Sequence, residues 1–254
     1  MQNKSGAYKK VKGPWEADKN CEDMSSLFLD ADGDGDMDLY VASGGSADVS
    51  KASLYQDRLY LNQGKTFVKS TSWLPKMISS TLRVKALDYD NDGDKDLIVG
   101  GRLTPEKYPY PSRSYLLENT GKSFKDVTGN SPDMMSPGLI NDILCTDFNN
   151  DGKTDIIMAG EWTGIKFFQN NGKSFKDVSK QHMDEPHNGW WYSLALHDVD
   201  GDGDQDIIAG NLGLNNKFHA SEKKPLNFTF LIMASKYDRP SAVERIIQIK
   251  KLFV

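Results

Sequence analysis

Residues 30–45 read DADGDGDMDLYVASGG, and the fold follows from how that string is read. Aspartates alternate at Asp30, Asp32, Asp34, Asp36 and Asp38 through a segment holding Gly33 and Gly35, and the apolar run behind them closes in two glycines. The arrangement returns three times, as DYDNDGDKD at 88–96, DFNNDGKTD at 147–155 and DVDGDGDQD at 198–206. The four starts lie 58, 59 and 51 residues apart, a period that suits a propeller blade.

Working outward, each acidic stretch is preceded by a short apolar run (SLFLD, VKALD, ILCTD, SLALHD) and followed by another (DLYVASGG, DLIVGG, DIIMAG, DIIAGN). Runs of four to six residues rich in Val, Ile and Leu fit strands better than helices. Three of the units continue into LYLNQGKTFVKS, YLLENTGKSFKDV and KFFQNNGKSFKDV, where Asn-x-Gly signals a hairpin because both residues tolerate positive φ. The pattern predicts four strands per unit, with the acidic loop between the first and second. A four-stranded sheet cannot bury both faces alone, so radial stacking into an all-β β-propeller is the expected fold.

The expected units are 22–73, 80–131, 139–182 and 190–226, within a propeller region 1–226. The segment 7–12 is read as a strand of a preceding blade, because AYKKV at 7–11 aligns with SFKDV at 123–127 and 174–178. The tail 227–254 carries no fifth acidic loop and is read as a degenerate blade, or as a truncated or frame-shifted end. The chain is therefore expected to be a segment of a longer protein that begins inside a blade.

Composition removes several classes. Acidic residues number 36 and basic ones 31, for a net charge of −5, but 18 of the acids are the aspartates of the four stretches. Those stretches carry −16 and the rest of the chain +11. Like charges so close oppose compaction unless a cation answers them. The apolar share of 38% with 22 glycines argues against disorder and a collagen-like chain. No apolar run approaches the roughly 18 residues that span a bilayer, and MQNKSGAYKK lacks a signal-peptide core. The basic residues are scattered without a run of five, which gives no support to nucleic-acid binding. Cys21 and Cys145 match no metal or redox spacing and read as two buried free thiols, with one long-range disulfide as the alternative.

All four loops obey D-x-[DN]-x-D-G-x-x-D. Calcium takes six to eight oxygens, and carboxylates at alternate positions of a tight loop can converge on one ion. Positions 1, 3 and 5 are expected to supply side chains: Asp30, Asp32 and Asp34; Asp88, Asp90 and Asp92; Asp147, Asn149 and Asp151; Asp198, Asp200 and Asp202. Position 7 (Asp36, Asp94, Lys153, Asp204) is expected to supply a backbone carbonyl, and position 9 (Asp38, Asp96, Asp155, Asp206) a carboxylate. Glycine at position 6 allows the sharp turn, and position 4 (Gly33, Asn91, Asn150, Gly201) also accepts left-handed geometry.

An EF-hand needs a bidentate Glu at position 12, where this chain has Val41, Val99, Met158 and Ala209, so that reading fails. Magnesium fits less well, since it prefers an octahedron with retained waters. The third loop carries only −2 where the others carry −4 or −5, and is expected to bind most weakly. Four bound calcium ions would bring the net charge to +3.

Other chemistry is thinner. The GKT and GKS strings lack the earlier P-loop glycine, having Leu59, Leu116 and Phe167 there. His182 and His187 flank Asp184 and Glu185, which could form a metal or acid–base cluster, although solvated loop histidines are the plainer reading. His197 is expected at the end of a strand. The aromatics Trp190, Trp191 and Tyr192, and Tyr108, Tyr110 and Tyr115 with Arg102 and Arg113, could bind a ligand or fill the gaps between blades.

The motif string DADGDGDMDLYVASGG, YQDRLYLNQG, VGGRLTPEKYPYPSRSYLLENTGKSFKDVT, DFNNDGKTDIIMAGEW and GWWYSLALHDVDGDGDQDIIAGNLGLNNKF resembles the FG-GAP/VCBS repeat propellers, which include the integrin α-chain head. It looks closer to the branch with cartilage acidic protein and the bacterial proteins carrying an ASPIC/UnbV domain, a domain not visible here. The resemblance covers about residues 22–219. It implies a calcium-bearing propeller, often seven-bladed, in secreted, cell-surface or periplasmic proteins, with structural calcium and ligand binding by other loops. The expected function is a non-catalytic binding or adhesion module for a protein or glycan ligand; the alternative is the propeller domain of a polysaccharide-acting enzyme.

Overall fold

A computed structural model describes residues 5–64, 66–183 and 187–212, together with two strands at 226–230 and 247–251. Four strands, β1 (Asp23–Leu29), β2 (Asp38–Ser43), β3 (Arg58–Asn62) and β4 (Phe67–Lys69), form an antiparallel sheet in chain order. A second sheet repeats this with β5 (Thr81–Leu87), β6 (Asp96–Gly101), β7 (Tyr115–Asn119) and β8 (Phe124–Asp126). A third set follows: β9 (Leu139–Thr146), β10 (Asp155–Thr163), β11 (Lys166–Asn170) and β12 (Phe175–Asp177). Next comes the pair β13 (Gly189–His197) and β14 (Asp206–Asn211), and then β15 (Leu226–Phe230) pairs with β16 (Ile247–Lys251). The fold is thus all-β, antiparallel and propeller-like in its repeat, and among the described residues no sheet closes on itself.

Register repeats with the sequence. The last residue of each first strand faces position 9 of the acidic loop: Leu29 opposite Asp38, Leu87 opposite Asp96, Thr146 opposite Asp155 and His197 opposite Asp206. Every acidic loop therefore closes the same hairpin. Each pairing also carries a register shift toward its other end, where a bulge adds twist.

The core lies between sheets. Leu29, Tyr40 and Leu59 of the first sheet pack with Leu97, Val99 and Leu117 of the second. Ile98 and Leu116 of the second meet Ile140, Ile143, Ile156 and Phe168 of the third. Ile157 and Phe167 then meet Leu194. Second strands covered on both faces read as continuous apolar runs, and all six residues of β6 and all nine of β10 are buried. The glycines ending these runs permit close approach: a Cβ on Gly44 would lie 2.1 Å from the Thr81 carbonyl oxygen of the next sheet, and one on Gly100 would lie 2.8 Å from Ile140.

Three details differ from the sequence pattern. Residues 7–12 form no named strand, although Tyr8 within them makes a β-bridge, and the 3₁₀ turn Pro14–Asp18 follows. The third and fourth sets are not separate, because the end of β10 pairs with the start of β13 (Glu161 opposite Trp190, Thr163 opposite Gly189). The third and fourth strands expected within 190–226 fall largely on 213–225, outside the described residues. Among the described residues no helix is long and apolar enough to cross a membrane.

Candidate metal centres

Each acidic loop is a closed turn held by its own carboxylates. Position 4 (Gly33, Asn91, Asn150, Gly201) and position 6 (Gly35, Gly93, Gly152, Gly203) all have φ between 58° and 97°. A Cβ at any of these glycines would meet nothing within 4 Å. Glycine is needed there for backbone freedom, not for space. The position 1 carboxylate gathers the turn from inside: Asp30 accepts the N–H groups of Gly33 (2.8 Å) and Gly35 (3.0 Å), and Asp198 those of Gly201 (2.7 Å) and Gly203 (3.1 Å).

In three loops, carboxylate oxygens of positions 1, 3 and 9 lie within 4.8 Å of one another: Asp30, Asp32 and Asp38; Asp88, Asp90 and Asp96; Asp198, Asp200 and Asp206. Position 5 is not part of these triplets. Asp34, Asp92 and Asp202 instead accept the N–H of position 7, from Asp36 (2.8 Å), Asp94 (2.9 Å) and Asp204 (3.1 Å).

Position 9 is the buried corner. Asp38, Asp96 and Asp155 are at most 1% exposed. One oxygen of each accepts the N–H of position 2, from Ala31 (2.9 Å), Tyr89 (3.0 Å) and Phe148 (3.2 Å). The other accepts an N–H from the end of the third strand, from Asn62 (2.7 Å), Asn119 (2.8 Å) and Asn170 (2.7 Å). Burial, reinforced by Asp90 and Asp92, still pushes Asp96 up to about 7. Asp38 is raised by burial and by Asp32 and Asp34, and Asp155 by burial and by Asp151 and Asp147.

The triplets fit a cation. Three carboxylates so close repel unless a positive charge sits among them. In the second loop Asp88 Oδ2 accepts the Gly93 N–H at 3.1 Å, while Asp88 Oδ1 is buried with no hydrogen-bond partner among the described residues. A buried, unanswered carboxylate oxygen is costly, and a hard cation that prefers oxygen would satisfy it.

The third loop answers its charge from within. Asn149 replaces one carboxylate, and Lys153 Nζ lies 3.2 Å from Asp151 Oδ2. The Lys153 and Asn149 contacts outweigh the upward push of burial and hold Asp151 below its ordinary value.

The asparagines were legible only as turn residues. Oδ1 of Asn119 and Asn170 does accept the N–H of Gly121 (2.9 Å) and Gly172 (2.7 Å), which closes the predicted hairpin. Their contacts with position 9 were missed; the signal available was one Asn recurring as the last residue of each third strand.

Most of the other candidates sit in packing networks, whereas His197 and Tyr192 are exposed. His182 stacks on Phe167, with centroids 5.0 Å apart, and meets Phe148 edge-on at 4.9 Å; Asp184 and Glu185 lie outside the described residues. His197 ends β13. Arg102 Nε and Nη2 donate to Glu161 Oε1 (3.0 and 2.5 Å), Tyr108 donates to Glu161 Oε2 (3.0 Å), and Trp162 Nε1 donates to the Tyr108 hydroxyl. Trp190 packs edge-on against Trp162 at 5.2 Å. Glu161 and Trp162, which sequence did not single out, sit where the bulge joins β10 to β13, and Trp162 has φ 57°. Arg113 lies over Tyr115 and pairs with Asp126. Cys21 and Cys145 are free and half-buried, and burial pushes the Cys145 thiol up to about 12.

Comparison with known proteins adds to this geometry. The model of the FG-GAP-like repeat matches residues 30–99 and 147–209. No curated protein matches the chain. Ten chains of known structure match. One is an Agrocybe aegerita lectin, described for its specific recognition of non-reducing terminal N-acetylglucosamine, at 18% identity and a TM-score of 0.35 over 60% of this chain. The match spans 36% of the lectin chain.

Proposed function

The chain belongs to the FG-GAP-like repeat family, and from that premise we propose that it is a non-catalytic binding module, a propeller segment made rigid by calcium held in its acidic loops. One observation carries the reading: three loops in the same register each bring three carboxylates within 4.8 Å. Calcium suits a donor set made wholly of oxygens on a flexible turn. Asp30, Asp32 and Asp38 would hold it in the first loop, Asp88, Asp90 and Asp96 in the second, and Asp198, Asp200 and Asp206 in the fourth.

Calcium supplies positive charge there, and the protein residues do the rest. Position 9 ties the start of the second strand to the end of the third, so an ordered loop stiffens the whole sheet. The Glu161 and Arg102 network is satisfied by its own members, which supports packing over chemistry. Extracellular modules bind calcium at about 10⁻⁴–10⁻³ M, so the reading places the protein outside the cell, at a surface or in a periplasm. Its ligand would be a protein or glycan engaged by surfaces away from the metal loops.

Calorimetric titration of the chelated chain with calcium is the test. Saturable binding accompanied by a rise in melting temperature is expected. No binding at millimolar calcium would sink the proposal, and turnover of a polysaccharide would replace the non-catalytic reading with the enzymatic one.

A further inference from the structure

The asparagine that closes each third strand also reaches out of its own sheet. Asn119 Nδ2 donates to the Lys95 carbonyl (3.3 Å), at position 8 of its own loop, and to the Ala31 carbonyl (2.9 Å), at position 2 of the preceding loop. Asn170 Nδ2 does the same with Thr154 (3.0 Å) and Tyr89 (2.7 Å). With Oδ1 bonded to the turn glycine, every polar atom of each side chain is committed. Asn119 is 4% exposed, Asn170 1%, Ala31 1% and Tyr89 4%.

These contacts form one continuous path. Asp38 holds the Ala31 N–H, and the Ala31 carbonyl holds Asn119. The Asn119 N–H is bonded to Asp96, which also holds the Tyr89 N–H. The Tyr89 carbonyl holds Asn170, whose N–H is bonded to Asp155, and Asp155 in turn takes the Phe148 N–H. Ala31 and Tyr89 each sit between two members of a carboxylate triplet, so ordering a triplet orders the residue the neighbouring asparagine grips.

We propose that Asn119 is a positioning residue that makes the first and second loops take up cation cooperatively, while Asn170 repeats the same contact toward the third loop, which has no carboxylate triplet. The inference rests on the calcium reading of the loops. An ion that orders the first loop fixes the Ala31 carbonyl and with it Asn119, so the second loop loses less conformational freedom when it is filled. Coupling of this kind is reciprocal, and typical values start at about fivefold in affinity.

The test follows calcium titration of the whole chain by NMR, reading the second loop at the Gly93 amide and the fourth at the Gly203 amide. Disabling the first loop with Asp30→Asn and Asp32→Asn should weaken the second loop about fivefold and leave the fourth unchanged. In an Asn119→Ala background the same change should no longer affect the second loop. Should Asn119→Ala fail to fold, the contrast between second and fourth loops still decides. Equal weakening of both would mean a global loss of stability, and no weakening would mean independent loops; either overturns the coupling and leaves calcium binding intact. Absence of any calcium-dependent shift would overturn the calcium reading and the coupling together.

Discussion

The second and third loops close on the same position 6 and position 9 contacts, yet they meet their charge in opposite ways, and in the third Asp147 Oδ1 also accepts the Asp151 N–H (3.1 Å). In both, position 1 accepts the position 6 N–H, and position 9 is buried between the same two backbone donors. The second loop gathers Asp88, Asp90 and Asp96, and leaves Asp88 Oδ1 buried without a partner among the described residues. The third exchanges Asp90 for Asn149 and Asp94 for Lys153, whose ammonium pairs with Asp151. The loop's backbone is thus separable from its metal chemistry: both turns keep the glycine geometry and position 9, whereas the difference in cation demand comes from positions 3 and 7.

The largest expected difference between the two appears on chelation. One site filled at 100 times its dissociation constant adds about 2.7 kcal/mol, so emptying several should lower the melting temperature by roughly 10 °C or more. Amide exchange should show protection lost at 88–96 well before 147–155. Equal loss in both loops would break the comparison.

Position 9 should behave alike in both loops once metal is absent. Asp96→Ala strands the N–H groups of Tyr89 and Asn119, and Asp155→Ala those of Phe148 and Asn170, each at a cost of about 3 kcal/mol in chelator by denaturant titration. In calcium, Asp96→Ala should cost more than Asp155→Ala.

Acidity moves position 9 the same way in both loops, since burial raises Asp155 as it raises Asp96, and it is Asp151 that sets the third loop apart. The folded pKa of Asp96, about 7, lies above its unfolded value. Its contribution is present below about pH 4 and lost as pH rises through 7, because the folded state then gives up the proton it held. Asp57, buried and also raised to about 7, loses stability in the same window, so Asp96→Asn should remove only part of the metal-free decline between pH 4 and 7. Asp151 runs the other way: its lowered pKa gives stability above the unfolded value that is lost as pH falls through the folded one. Melting curves from pH 4 to 8 in chelator check both signs.

Smaller effects sharpen the rest. Restoring charge to the third loop with Lys153→Asp and Asn149→Asp should raise its calcium affinity about tenfold, worth about 1.4 kcal/mol by calorimetry. Gly93→Ala and Gly152→Ala should each cost only about 1–2 kcal/mol, since φ is left-handed but nothing crowds a Cβ there. Equal costs would confirm a shared backbone; unequal ones would point to metal-dependent turn geometry in the second loop.

Much of the fold was legible because it is local. Alternating aspartates, turn glycines and apolar runs of strand length recur with the register, and the hairpins expected at Asn119 and Asn170 are present. The weak charge of the third loop could be counted directly. What could not be read was which groups meet across distance. The Asn119 contact with Ala31 spans 88 residues, and the Asn170 contact with Tyr89 spans 81. The Glu161 network joins residues more than 50 positions apart, and its carboxylate lies in an apolar-looking strand that gives no local sign of an arginine partner.

The sequence by itself determined the repeating unit, the oxygen-rich chemistry of its loops and the order of their charge, because each is written in short local runs that recur every 51–59 residues. Only the tertiary structure decided which carboxylate is buried, that positions 1, 3 and 9 converge while position 5 turns to its own backbone, and that one asparagine serves two loops. Those outcomes depend on how separate sheets exclude water from shared polar groups, and each such group must then take its hydrogen bond from whatever neighbour the packing supplies.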